Sequence, residues 1–87
     1  LMETIEDRII EYETNCKEGY RGELSSKCKL TREEMIELID LAQSAVWYRN
    51  GLLSNELKAI FLSKISSVKT KLPTSELIER LGNLSKE

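Results

Sequence analysis

The chain has 87 residues, 40% of them apolar and 32% charged, with one proline, four glycines and a net charge of −2. That length supports one domain built on a single core. The composition excludes a disordered chain, and the charge balance gives no support to general binding of duplex DNA or of an anionic membrane.

No run of about 18 apolar residues occurs, so no transmembrane helix is predicted. The opening "LMETIEDRII" lacks the apolar core of a signal peptide, and the expected location is cytoplasmic, with the native start at Met2. Cys16 and Cys28 fit neither a CxxC nor a zinc spacing. Two cysteines are too few for a disulfide scaffold, so free thiols and no metal site are expected.

The first predicted helix covers residues 2–18. Met2, Ile5, Ile9, Tyr12 and Cys16 follow at spacings of three and four, which is one helical seam, and Ile10 widens it. Gly19 is expected to end it, and a loop over residues 19–30 carries Gly22, Ser25, Ser26, Lys27 and Lys29.

The second helix is predicted over residues 32–49, with Thr31 as N-cap and Glu34 completing a capping box. Met35, Leu38, Ile39, Ala42, Ala45 and Val46 form its buried face, while Ile36, Leu41, Trp47 and Tyr48 fall largely outside that stripe. Asn50-Gly51 signals a turn. A third helix is predicted over residues 53–72, ending ahead of Pro73, with Leu53, Leu57, Ile60, Phe61, Ile65, Val68 and Leu72 as its stripe. A short fourth helix over residues 75–82 is capped at Thr74 or Ser75, and Gly82 is expected to break or end it.

No strand-like alternation occurs. The fold class is therefore all-α, with three main helices plus a short C-terminal one in a single domain. Two helices of about 18 residues reach about 27 Å each, long for a chain this small to cover. The several-sided apolar character of the second helix predicts a homo-oligomer, with Trp47 in a core or an interface.

The chain contains no histidine, which removes the commonest general base and metal ligand at neutral pH. No Gly-rich phosphate loop occurs. A binding protein without cofactor is expected, not an enzyme. Lys27 and Lys29 sit just ahead of a helix N-terminus, where the dipole already favours anions. They are either solvated loop charges or half of an anion site.

Four features, "RIIEYE" with Tyr12, "GYR" with Tyr20 and Arg21, "KLTREE" with Lys29 and Thr31, and "SSVKTKLP" with Lys69 and Pro73, together resemble the phage anti-CBASS sponge proteins. Those are small all-helical homohexamers that bind and hide the cyclic oligonucleotides of bacterial CBASS immunity. The resemblance implies a cyclic-dinucleotide pocket, for ligands such as 3′,3′-cyclic GMP–AMP, with Tyr12 against a base and Lys29 against phosphate. It also implies a cyclic-trinucleotide pocket using Thr31 and Lys69, sequestration without cleavage, and action in the cytoplasm of the infected host.

The sequence departs from the family in two places. The loop before Leu30 is longer than the family's link, which leaves Lys27 competing with Lys29. A lysine, Lys69, also stands where the family has arginine, losing bidentate phosphate geometry. Read from its seam alone, Tyr12 is equally a core tyrosine, and Lys69 is a solvated helix residue. A protein-interaction module, such as a host-enzyme inhibitor, an antiholin or an immunity partner, is the competing reading. A helix-turn-helix DNA binder is disfavoured by the net charge and by Glu33 and Glu34.

Overall fold

The structure is a computed structural model that describes residues 4–16 and 26–84. Helix α1 spans Ile5–Glu11 and runs on into a π-helical turn, Tyr12–Cys16. Helices α2 (Arg32–Arg49), α3 (Asn55–Ser67) and α4 (Thr74–Leu84) follow. No strand occurs among the described residues. Nor is any of their helices long and apolar enough to cross a membrane. The all-α expectation stands.

Capping explains where the helices begin. Thr31 Oγ1 accepts the Glu34 N–H at 3.0 Å, and the Glu34 carboxylate accepts the Thr31 N–H at 2.9 Å. The same reciprocal box joins Thr4 and Asp7 at the start of α1, and Ser54 caps α3 by accepting the Leu57 N–H. Each such cap is worth about 1 kcal/mol. At α4 the Pro73 carbonyl accepts the first helical N–H, from Leu77. The helix therefore starts at Thr74, one residue before the predicted start.

Helix α2 ends as Asn50-Gly51 signals. Gly51 adopts φ +69°, its N–H donates to Tyr48 O, and the Leu52 N–H donates to Trp47 O. This is a Schellman arrangement, which satisfies carbonyls that the helix end would otherwise orphan.

Two ends differ from expectation. Helix α3 stops at Ser67, not residue 72, because the following backbone is used elsewhere. The Lys69 carbonyl accepts the Ile5 N–H at 2.9 Å, and the Lys71 N–H donates to the Glu6 carboxylate at 3.0 Å. The Ser66 and Ser67 hydroxyls also bond back to the carbonyls of Ser63 and Lys64, competition that weakens a helix end. Conversely, Gly82 neither breaks nor ends α4, which continues to Leu84. Its lack of a side chain lets the Arg49 guanidinium lie against it, 2.9 Å from where a Cβ would stand.

The core is one cluster. Ile5, Ile9, Tyr12 and Cys16 from the first segment meet Met35, Leu38, Leu41, Ala42 and Ala45 of α2 and Leu77, Ile78, Leu81 and Leu84 of α4. Helices α2 and α4 share the most extensive contact in the fold, and the small side chains of Ala42 and Ala45 are buried in it. Leu41 is buried, against expectation, and Tyr48 is half-buried with its ring 5.3 Å from that of Phe61. Helix α3 contributes only Phe61 and Ile65 to the buried core. Leu57 and Ile60, assigned to its buried stripe from sequence, are each 51% exposed.

The cysteines are not free thiols. Cys16 and Cys28 form a disulfide, with Cα atoms 5.0 Å apart across 12 residues of sequence, inside the span a disulfide allows. The bridge removes the thiol argument for a reducing compartment.

Candidate functional site

The sequence directs attention to the end of α1 and the segment ahead of α2, and three links bring these together. The disulfide is one. The second is the Glu11 carboxylate, whose Oε2 accepts the Lys29 backbone N–H at 3.1 Å and the Asn15 side-chain amide at 2.9 Å. The third is an ion pair between Arg8 and Glu34, 3.5 Å apart, joining α1 to the first turn of α2. Tyr12, Lys27, Lys29 and Thr31 thus belong to one end of the molecule. Lys69 does not, since its carbonyl bonds to Ile5, at the opposite end of α1.

Each side chain has a definite setting. Lys27 and Lys29 are exposed ahead of the capped N-terminus of α2, as an anion site requires. Thr31 is exposed, but its hydroxyl already serves the cap. Tyr12 is only 4% exposed and lies in the core cluster. Within one chain its ring presents no face for a base, so the core-tyrosine alternative describes it. Lys69 is exposed. Tyr20 and Arg21 lie outside the described residues.

The carboxylate of Glu6, at the other end of α1, is held below its ordinary value near 4.5. The Thr70 hydroxyl beside it is the largest cause, partial burial opposes, and the Lys71 N–H adds to the lowering. That group fastens the segment between α3 and α4 to α1; it is structural.

Two grooves flank α3. One, about 180 Å³, lies between α2 and α3 over Leu41, with Glu37, Asp40, Lys64 and Ser67 at its sides. The Asp40–Lys64 ion pair, at 3.6 Å, spans the two helices. The other, about 520 Å³, is lined by Tyr48, Arg49, Leu62, Ile78 and the first turn of α4. Neither includes Tyr12, Lys27, Lys29, Thr31 or Lys69.

Ile36 (56% exposed) and Trp47 (43%) stand on the solvent side of α2, off its buried stripe as the sequence places them, whereas Leu57 and Ile60, expected in the buried stripe of α3, stand on its exposed flank. Sequence reasoning missed Glu11, a carboxylate with no sequence signature that becomes the anchor of the 26–30 segment only once the chain returns to it. No protein-family model, curated protein or solved structure matches the chain.

Proposed function

We propose that this chain is a non-catalytic binding module that works by association, with the outer face of α2 and α3 docking against another copy of itself. The observation that carries the reading is the set Trp47, Leu57 and Ile60, three large apolar side chains each about half exposed. Scattered single hydrophobes need no explanation, but these belong to adjacent helices joined by one tight turn. Charge favours self-association over an unrelated partner. Helix α2 presents Glu33 and Glu37 and α3 presents Lys58, while Asp40 and Lys64 already pair across the two helices within one chain. A two-fold axis laying α2 of one copy on α3 of the next sets acids against bases twice over. Two helices side by side offer about 27 Å by about 20 Å, about 500 Å² in projection, near the low end of what each partner gives to a specific interface.

A second reading rests on Lys27 and Lys29 beside the α2 N-terminus: the assembled copies, a homohexamer as the anti-CBASS resemblance implies, hold cyclic di- and trinucleotides without cleaving them. In that assembly Lys27 and Lys29 meet phosphate, Thr31 and Lys69 serve the larger ligand, and the base platform comes from a residue other than a buried Tyr12. Native mass spectrometry with and without 3′,3′-cyclic GMP–AMP separates the readings, because it counts subunits and ligands together. Oligomers with intact ligand, lost in Lys27→Ala/Lys29→Ala, support sequestration. Oligomers without ligand leave the association module alone, and monomers without ligand overturn both.

A further inference from the structure

Three ligand-type atoms converge where the π-helical turn meets the segment ahead of α2. One carboxylate oxygen of Glu11 and the sulfurs of Cys16 and Cys28 all lie within 4.8 Å of one another. The geometry has a local cause. A π turn sets residue i+5 over residue i, so Cys16 Sγ stands 4.0 Å from Glu11 Oε2. The return of the chain then brings the Cys28 Cα within 5.0 Å of that of Cys16. The carboxylate is held in place by its bonds from the Lys29 N–H and the Asn15 amide. Outer contacts of this kind orient ligands in metal sites. Cys16 is fully buried and Cys28 and Glu11 are half-buried.

We propose that, once the Cys16–Cys28 disulfide is reduced, Glu11, Cys16 and Cys28 form a three-ligand site for a zinc-type divalent cation. The reduction consumes a dithiol, which gives two electrons and two protons and becomes a disulfide while the Cys16–Cys28 S–S bond opens to two thiols. One metal ion then forms two bonds to sulfur and one to a carboxylate oxygen, and two thiol protons leave. Two zinc–sulfur bonds of about 2.3 Å at tetrahedral angles set the sulfurs about 3.8 Å apart. The Cα separation reaches that by side-chain rotation, without moving either backbone. Two thiolates with one carboxylate favour zinc or cadmium over magnesium or calcium, and a fourth position remains for water. The same two cysteines thus tether the segment ahead of α2 in either redox state, directly when oxidised and through the metal when reduced.

The test uses the full chain, oxidised or reduced with a phosphine under argon, incubated with zinc, desalted and assayed for bound metal. One zinc per reduced chain is expected and none per oxidised chain, with two protons released on binding. Reduced Glu11→Gln, competed against a chromophoric chelator, should bind at least about tenfold more weakly. If reduction loosens the helices, zinc should restore the helical circular dichroism of the wild type and restore it less in Glu11→Gln. The proposal is overturned if reduced wild type retains no more zinc than Cys16→Ser/Cys28→Ser. It is equally overturned if Glu11→Gln binds zinc as tightly as wild type, or if zinc fails to restore helix to a loosened chain.

Discussion

Helices α2 and α4 and helix α3 are made of similar residues but are held very differently. On α4, Leu77, Ile78, Leu81 and Leu84 are all buried, and they close on α2 where Ala42 and Ala45 are buried. On α3 only Phe61 and Ile65 are buried, and Leu57, Ile60 and Leu62 face outward. A short α4 with a clean apolar stripe is complete within one chain, whereas α3 carries more apolar surface than this chain covers.

Truncation on each side of this divide should give the largest contrast in stability. Leu81→Ala, at a fully buried position, should cost about 2–5 kcal/mol and lower the melting temperature by many degrees. Leu57→Ala should cost under about 0.5 kcal/mol in melts run dilute enough for single chains. Equal losses in the two variants would mean that α3 is as firmly packed as α4.

The turn between α2 and α3 gives a smaller effect. Gly51→Ala places a side chain at φ +69° with nothing nearby to clash, so its cost is backbone strain alone, about 1–2 kcal/mol. Chemical denaturation checks it, and an unchanged midpoint would show that the turn relaxes freely. Gly82→Ala sharpens the α2–α4 side. Helix propensity gains up to about 1 kcal/mol, while the atoms nearest the added Cβ belong to the far end of the flexible, exposed Arg49 side chain. A slightly raised melting temperature is expected, and a clear fall would mean that the Arg49 contact is rigid.

Acid tests how the end of α3 is fastened to α1. The Glu6 carboxyl is held below its ordinary value in the folded chain. Its contribution is therefore present above the unfolded value and lost as pH falls through the lowered one. Wild type should be more stable than Glu6→Gln at neutral pH, and the two melting curves should converge in acid. A gap that persists or widens as pH falls would contradict this.

How much of this was legible in the sequence depends on where each signal resides. Both ends of α2 were readable because they are local: a Thr–Glu capping box and an Asn-Gly turn act within a few residues. The end of α3 was not, because Lys69 and Lys71 bond to Ile5 and Glu6, far away in sequence. The disulfide was hidden for the same reason, since a spacing of 12 says nothing about the π turn and the Glu11–Lys29 bond that bring the cysteines together. Periodicity placed Tyr12 on an apolar seam, and burial resolves it as core. The exposure of Lys27 and Lys29 in the 26–30 segment was readable from the polar, Ser- and Lys-rich run they sit in.

The claim that the outer α2–α3 face joins copies of this chain is tested most directly by light scattering over a concentration series, on wild type and on Leu57→Asp/Ile60→Asp. Both positions are about half exposed, so the variant should keep its helical circular dichroism. The wild-type mass should be a multiple of 10.0 kDa, and the variant should fall to the single-chain mass. A wild type that stays at the single-chain mass at every concentration, or a folded variant that assembles as wild type does, would contradict it.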